Sequence, residues 1–292
     1  MQKRQCGTHD GTFHADEVTA VAMLILFDLI DEEAVIRTRD KALLDECEYV
    51  CDVGGIYEVQ MKRFDHHQSD YQAYLSSAGM ILSYLKEKAI ISPDLYQFLN
   101  RSLIMGIDAV DNGQVTPSIG HCSFSGVISN FVPVSHESSR SDMDKAFFEA
   151  VTFVKGHLSR LMQRYHYIKS CRSCVEKAMK EGKDLLIFDR PMPWMESFFE
   201  LGGEEHPASF LIMPTGENWK LRGIPPSLRD RMNVRIPLPV KWAGLLDDEL
   251  EKACQIKGGI FCHKGRFISV WKTKEAAIEA YKKATHMSTT HD

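Results

Sequence analysis

The pattern of apolar and polar positions predicts strands alternating with helices in the first half of the chain. The longest apolar run, residues 18–30, contains one charged side chain, Asp28, and predicts a helix that is covered on nearly all sides. The other elements predicted here are short strands at 34–37, 49–52 and 61–64, a short helix at 41–46, and longer helices at 77–89 and 94–110. Such alternation indicates a mostly parallel sheet with helices on both faces.

A long helix is predicted in the middle of the chain. It follows a stretch rich in Ser, Gly, Pro and Asn, residues 114–139, which predicts a long loop. Apolar residues then recur at steps of four and three from about 141 to 180 and stop at Gly182. The segment is either one helix of about 60 Å or two helices broken near Gly156. As one helix, it either connects two domains or forms the interface of a homodimer.

The last third of the chain has a different pattern, which predicts a smaller α+β domain. Prolines are dense between 191 and 239. Strands are predicted at 185–188, 208–213, 219–222 and 267–270, and helices at 245–254 and 274–284. The sequence therefore predicts an α/β catalytic domain over 1–140, a helical connection over 141–183 and a capping α+β domain over 184–292.

The composition is that of a globular protein, and it argues against duplex DNA and membranes as partners. The chain has 292 residues, 44% hydrophobic and 26% charged. With 35 basic and 40 acidic side chains the net charge is −5, which argues against tight, sequence-independent wrapping of DNA. The 8 cysteines are sparse and irregularly spaced, which favours reduced thiols in the cytoplasm. The longest apolar run is shorter than the roughly 20 residues that a membrane span needs, so no membrane partner is expected.

Histidine and aspartate cluster at the ends of the predicted elements. Ligands of open α/β sheets bind beside the carboxyl ends of the strands, so these clusters are candidates for a single site. The candidate side chains are His9, His14, Asp16, Asp52, Asp65, His66, His67, Asp108 and Asp111. Each short cluster is a weak signal by itself, whereas their joint occurrence at element ends is a strong one.

The residue types indicate a transition-metal site. Imidazole together with carboxylate suits Mn²⁺, Fe²⁺ or Zn²⁺, whereas sites built from oxygen alone suit Mg²⁺ or Ca²⁺. Two ions about 3.5–4 Å apart need a bridging carboxylate, and Asp52 is a candidate for it. Such a pair lowers the pKa of a shared water molecule and clamps a phosphate during an in-line displacement.

Four stretches of the chain resemble a known family. They are residues 7–17, 52–55, 63–68 and 107–113. Together they resemble the melanocyte-proliferating-gene exonuclease family, metal-dependent hydrolases that are similar to the wider DHH phosphoesterase superfamily of RecJ nucleases, oligoribonucleases and manganese pyrophosphatases. Residues 238–245, 248–250 and 261–268 are similar too, so the resemblance covers almost the whole chain.

This resemblance implies a role for each candidate. The implied metal ligands are His9, His14, Asp16, the bridging Asp52, His66, and either Asp111, which is favoured, or Asp108. His67 is implied to contact the substrate phosphate as proton donor or charge stabiliser, and Asp65 to orient a histidine. The implied catalytic residues are thus His67, Asp52 and Asp65, and the cationic candidates for substrate binding in the second domain are Arg222, His263, Lys264 and Arg266.

The fold and function implied by the resemblance are those of a DHH-like phosphodiester hydrolase. We expect two divalent ions, Mn²⁺ before Mg²⁺, Fe²⁺ or Zn²⁺, and 3′-to-5′ exonuclease action on short single-stranded RNA or DNA. Two alternatives stay open. One is hydrolysis of a small phosphate compound such as pyrophosphate, a nucleotide or a cyclic dinucleotide, and the other is a binding module with a vestigial site.

Overall fold

Ten strands form two separate five-stranded sheets in the computed structural model, which describes residues 4–116, 118–135, 137–231 and 233–288. The chain divides into two compact units, Met1–Tyr165 and His166–Asp292. The division falls within the long helix predicted from the sequence. The three-part domain division of the sequence analysis stays a prediction.

The sheet of the N-terminal unit is mostly parallel, as predicted. Its strands are β1 (Cys6–Thr8), β2 (Val35–Arg37), β3 (Tyr49–Cys51), β4 (Tyr57–Glu58) and β5 (Arg63–Phe64). They lie in the order β2-β1-β3-β5-β4, and only the edge strand β4 runs antiparallel to its neighbour. Strands β1, β3 and β5 are therefore adjacent and point the same way.

Helices cover both faces of this sheet. They are α1 (Ala15–Leu26), α2 (Lys41–Glu46), α3 (Ser77–Glu87), α4 (Pro93–Leu99), α5 (Met105–Asp111), α6 (Phe124–Ser129) and α7 (Arg140–Glu181). Side chains of β3 alternate between the faces: Tyr49 and Cys51 join the large core around α1, and Val50 joins a small core with Leu44 of α2. The α/β class is confirmed.

Several elements differ from the sequence-based expectation. Strand β1 was not predicted, because its residues Cys-Gly-Thr lack the bulky apolar side chains that indicated the equally short β2 and β3. The helix expected over 94–110 contains a π-helical segment, Asn100–Ile104, between α4 and α5. The loop expected over 114–139 contains helix α6. The long segment is one helix, α7, without a break at Gly156.

The C-terminal unit has an α+β fold, as predicted. Its strands are β6 (Leu185–Ile187), β7 (Phe210–Thr215), β8 (Asn218–Gly223), β9 (Gly259–Cys262) and β10 (Ile268–Trp271), in the order β6-β7-β8-β10-β9. Its helices after α7 are α8 (Met195–Glu200), α9 (Asp247–Cys254) and α10 (Lys274–Ser288). Strands β6 and β7 are parallel, and the other pairs are antiparallel.

Two hydrophobic clusters stabilise this second sheet. One contains Trp242 and Trp271 together with residues of α9 and α10. The other contains Val175 of α7 and Phe198 of α8. Among the described helices, none has the length and apolar character to cross a membrane. The cytoplasmic location and the homodimer stay predictions.

A buried carboxylate fixes the start of α3. Asp108 Oδ1 accepts hydrogen bonds from the Ser76 hydroxyl (2.7 Å), the Ser76 backbone N–H (3.1 Å) and the Gly79 backbone N–H (3.2 Å). A negative charge is favourable at a helix N-terminus. Gly79 gives the carboxylate its space, because a Cβ there would lie 2.4 Å from Asp108 Oδ2.

We therefore predict that Gly79→Ala destabilises the protein by about 1–3 kcal/mol, as overpacking of a buried site does. Gly106→Ala, on α5, is the matched control, because a Cβ there would have nothing within 4 Å. That substitution should raise stability by about 0.5–1 kcal/mol. Urea denaturation of both variants measures the difference. Equal stability of the two variants would contradict the assigned role of Gly79.

Candidate metal centre

The ends of three adjacent parallel strands bring the predicted site residues together. His9 follows β1, Asp52 follows β3, and the Asp65-His66-His67 triplet follows β5. Because β1, β3 and β5 are neighbours that run in the same direction, these residues emerge at one edge of the sheet. The turn after Asp52 uses two glycines with positive φ, Gly54 and Gly55.

Asp52 lies between two histidines. Its Oδ2 is 3.3 Å from His9 Nε2, and its Oδ1 is 3.3 Å from His66 Nε2. His66 Nε2 is also 3.1 Å from Asp111 Oδ2 and 3.8 Å from Asp16 Oδ2. One carboxylate thus faces two imidazoles with its two oxygens, which is the arrangement that a bridging ligand needs.

The start of α1 contributes a further group. His14 is the N-cap residue of α1, and its backbone N–H donates to both carboxylate oxygens of Glu17 at 2.9 and 3.0 Å. Glu17 is fully buried, and its Oε1 also lies 3.0 Å from His9 Nε2. Glu17 was not among the predicted site residues. The spacing His14-x-x-Glu17, similar to that of a capping box, was the available signal.

Several polar atoms at this edge are buried without the partners that such atoms normally have. Both carboxylate oxygens of Asp16, Asp52 Oδ1 and His66 Nε2 have no hydrogen-bond partner in the described part of the chain. The contact between Asp52 Oδ1 and His66 Nε2 is close but lacks hydrogen-bond geometry. Buried polar groups are nearly always satisfied, so four such atoms together fit a site that binds a ligand.

The electrostatics of the cluster favour a cation. Burial, reinforced by the charges of Glu17 and Asp52, raises the pKa of Asp16 well above its usual range. Burial would also raise the pKa of Asp52, but His66 and His9 outweigh it and lower the pKa to about 2. Burial lowers the pKa values of His9 and His66, but the neighbouring carboxylates outweigh burial and raise both pKa values to about 10. Protonated imidazoles thus balance the carboxylates in the metal-free site, and a metal ion would displace these protons.

The donor atoms are close enough to share an ion. Three groups have ligand atoms that lie within 4.8 Å of one another, and Asp52 belongs to two of them. The groups are His9, His14, Glu17 and Asp52; Asp52, His66 and His67; and His14, Asp16 and Asp111. Mixed imidazole and carboxylate donors with unsatisfied buried oxygens fit divalent transition metals.

His67 differs from His66 in exposure and in its partner. Its side chain is 64% exposed, and its Nδ1 lies 2.8 Å from Asp65 Oδ1. Asp65 is buried and is held in turn by the Gly55 backbone N–H, which donates to Asp65 Oδ2 at 2.6 Å. Asp65 therefore orients the ring of His67 and leaves Nε2 as the nitrogen that faces away from this contact.

Asp108 and Asp111 occupy different environments although they are three residues apart. Asp111 contacts His66, whereas the Asp108 carboxylate caps α3. Burial raises the pKa of Asp108, although the hydrogen bonds from Ser76 and Gly79 act to lower it. The structure thus brings Asp111 to the cluster and uses Asp108 for the fold.

A cavity of about 480 Å³ opens beside the cluster. His9, His14, Asp52, Asp65 and His67 line it together with Asp10, Gly11, Thr12, Arg39, Val53 and Gly54. Its volume lies in the range of small-molecule sites. Arg39 was not predicted as a site residue, because sequence spacing gives no sign that the segment after β2 reaches this cavity.

A second unpredicted arginine fixes the loop that carries the first histidines. Arg37 is buried and donates from Nη2 to the Gly11 carbonyl oxygen at 2.6 Å. Its Nη1 lies 2.7 Å from Asp144 Oδ1, and its guanidinium lies 4.7 Å from the ring centroid of Phe147. Arg37 therefore ties the loop between β1 and α1 to α7.

The four cationic candidates lie on β8 and on the turn that joins β9 to β10. Arg222 is half-buried, and its Nε lacks a hydrogen-bond partner within the described residues. Lys264 is exposed, and the His263 ring lies 4.4 Å from that of Phe267. Arg266 Nη1 donates to the Leu238 carbonyl oxygen at 3.3 Å, so this guanidinium also supports the turn.

Comparison with known proteins establishes the family. The sequence model MYG1_exonuc, described as Uncharacterised protein family (UPF0160), matches residues 5–285. The chain belongs to the MYG1 family. The resemblance found in the sequence is thereby confirmed.

The relatives extend along nearly the whole chain. A MYG1 protein of Chlamydia pneumoniae is 51% identical over 279 residues, 96% of each chain. A MYG1 protein of Schizosaccharomyces pombe is 31% identical and covers 95% of this chain and 96% of its own. The protein named MYG1 exonuclease of Homo sapiens is 29% identical and covers 95% and 85%, respectively.

Among solved structures the likeness is weaker. The structure of RecJ from Thermus thermophilus in complex with Mn²⁺ matches with a TM-score of 0.29 and 12% identity. The match covers 100% of this chain and 53% of the RecJ chain, so this chain spans about half the length of that protein.

Mn²⁺ should stabilise the protein, because an ion that binds only the folded state shifts the unfolding equilibrium. At a concentration of 100 times Kd we expect the melting temperature to rise by about 5–10 °C, and EDTA to reverse the rise. Asp16→Asn should abolish most of this rise. Without metal, Asp16→Asn should not lower the stability of the protein, because the substitution removes a buried carboxylate that other carboxylates repel.

Asp108→Asn is the matched control for that experiment, since it changes a buried aspartate of the same unit outside the cluster. It should lower stability with or without Mn²⁺ and keep the Mn²⁺-dependent rise. A variant at Asp108 that loses the rise while the Asp16 variant keeps it would reverse our assignment.

Proposed function

We propose that this chain is a metal-dependent exonuclease that hydrolyses phosphodiester bonds in short single-stranded RNA or DNA from the 3′ end. The observation that carries the proposal is the pair of histidines facing the two oxygens of Asp52, next to the unsatisfied carboxylate of Asp16. The name of the human relative, MYG1 exonuclease, supports the same reaction class.

We assign the ligands of two divalent ions to the side chains that surround Asp52. They are His9, His14, Asp16, Asp52, His66 and Asp111. When bound, such ions lower the pKa of a water molecule and withdraw charge from a phosphate. Mn²⁺ suits the mixture of imidazole and carboxylate, and Asp52, which belongs to two of the donor groups, is the bridging ligand in this assignment.

The protein's own groups then act on the substrate phosphate. Asp65 fixes His67 through Nδ1, so His67 Nε2 is the atom that contacts the phosphate, where it donates a proton to the leaving oxygen or balances its charge. The Asp10 carbonyl oxygen accepts from His9 Nδ1 at 3.0 Å and leaves Nε2 for an ion, and Arg37 holds the loop that carries both His9 and His14. These contacts preorganise the site before a substrate arrives.

The cationic candidates of the second unit are assigned to nucleic acid binding. The half-buried Arg222 and the exposed Lys264 carry positive charges that suit phosphate groups. The adjacent His263 and Phe267 rings offer a face for a nucleobase. This combination of cations and rings favours a nucleic acid chain over pyrophosphate, which has no base to stack.

The first test is hydrolysis of a short RNA labelled at its 5′ end, with pyrophosphate in parallel, by metal-stripped protein reloaded with Mn²⁺. We expect a ladder that shortens from the 3′ end and is absent with Asp52→Asn. Release of phosphate from pyrophosphate alone would move the protein to the small-molecule hydrolases. Absence of turnover of either substrate, with Mn²⁺ bound, would favour a binding module and contradict the proposal.

His67→Gln should separate proton transfer from metal binding. We expect kcat to fall by about 100-fold, in the range of a lost general acid, with little change in KM. The Mn²⁺-dependent rise in melting temperature should persist, because His67 is not among the assigned ligands. Loss of that rise in the His67 variant would instead make His67 a ligand.

A further inference from the structure

Two exposed guanidinium groups share one carboxylate at the cavity beside the metal centre. Arg39 Nε lies 3.4 Å from Asp10 Oδ1, and Arg140 Nη1 lies 3.8 Å from Asp10 Oδ2. Asp10 and Arg39 both line the cavity, together with His9, Asp52 and His67. The guanidinium pair is thus next to the proposed reaction centre and within the same unit.

These contacts are loose, and the arginines stay accessible. The side chains of Arg39 and Arg140 are 65% and 64% exposed. Distances of 3.4 and 3.8 Å are longer than those of well-formed charge-assisted hydrogen bonds, which are about 2.7–2.9 Å. An exposed ion pair of this kind contributes little to stability, so the contacts with Asp10 do not explain by stability why Arg39 lies here.

The backbone beneath the pair is fixed. Arg140 Nη2 donates to the carbonyl oxygen of Arg37, the last residue of β2. Arg37 is itself buried and bound to Gly11 and Asp144. The Arg140 guanidinium is therefore held relative to the loop that carries His9, and Arg39 lies two residues after Arg37 on the same segment.

The local charge favours an anion. Three arginines, Arg37, Arg39 and Arg140, face only two carboxylates in this described part of the unit, those of Asp10 and Asp144. The metal centre beside them is rich in carboxylates, and Arg39 is the arginine of this group that lines the cavity. A phosphate with more than one acceptor oxygen can bind both guanidiniums at once.

We propose that Arg39 and Arg140 form a subsite for the phosphate adjacent to the scissile one. This inference rests on the proposed function and deepens it, because the subsite selects substrates with at least two phosphodiester bonds. Asp10 faces the two guanidiniums in the free protein, and the substrate phosphate takes over its contacts. The subsite thus favours an oligonucleotide over a substrate with one phosphate.

The test compares three substrates with Mn²⁺-loaded wild type and Arg39→Ala. They are a dinucleotide with one phosphodiester, a trinucleotide with two, and the same trinucleotide whose 5′ linkage is a neutral methylphosphonate. We expect Arg39→Ala to lower kcat/KM about tenfold on the normal trinucleotide, as removal of a charge-assisted hydrogen bond does. On the dinucleotide and on the methylphosphonate the change should stay within about twofold, because neither substrate offers the second phosphate charge.

Controls separate a phosphate contact from a structural effect. Arg39→Lys should restore most of the activity on the trinucleotide, and Arg101→Ala, which removes an exposed arginine outside the cavity wall, should match wild type. The slope of log kcat/KM against log salt should become shallower by about 0.7 for each phosphate charge that the variant no longer neutralises. Arg140→Ala should show the same substrate pattern as Arg39→Ala.

Two outcomes overturn the inference. One is an equal decrease on all three substrates, which would mean that Arg39 acts on the metal centre. The other is no decrease on any of them. Failure of the wild type to hydrolyse any phosphodiester would instead overturn the proposed function itself, and the wild-type data alone reveal it.

Discussion

The candidate metal centre depends on one constraint: charged side chains that lack full compensation are brought together around Asp52, at the carboxyl ends of three parallel strands. The ends of β1, β3 and β5 fix His9, Asp52 and His66 relative to one another. Burial then removes the water that would otherwise solvate them. An isolated buried charge costs several kcal/mol, so such a cluster persists only with compensating charge.

Compensation in the metal-free protein comes from within the cluster. Protonated His9 and His66 face the carboxylates of Asp52, Asp111 and Glu17. Asp16 stays without a hydrogen-bond partner in the described residues and has a raised pKa. A cation that replaces the protons would satisfy all of these groups together. The buried charges that destabilise the folded protein are thus the same ones that form the binding site.

The surrounding residues divide between support and chemistry. Glu17, Arg37 and Asp65 are buried, and each holds a loop or a ring of the site. His67 and Arg39 are exposed to the cavity and lie outside the tightest packing. This division explains how a site can be rigid around the ions and still accept a substrate from solvent.

The sequence predicted the site best where histidines and aspartates lie at the ends of predicted strands and helices. Alternating strands and helices predicted the parallel sheet, and the histidines and aspartates at the strand ends predicted the cluster. Strand β1 was not predicted because Cys-Gly-Thr contains no bulky apolar side chain, unlike the equally short β2 and β3. The choice between Asp108 and Asp111 also needed coordinates, because their environments depend on α3, whose Ser76 and Gly79 engage Asp108. Arg39 reaches Asp10 because β1 pairs with β2, with Thr8 opposite Arg37, and Arg140 reaches it because α7 packs against the loop after β1.

Anomalous diffraction from crystals soaked in Mn²⁺ would show where the ions bind, because it locates them independently of activity. We expect two manganese peaks on either side of the Asp52 carboxylate, one beside His9 and the other beside His66. Peaks elsewhere on the protein, or none at this edge of the sheet at saturating Mn²⁺, would contradict this expectation.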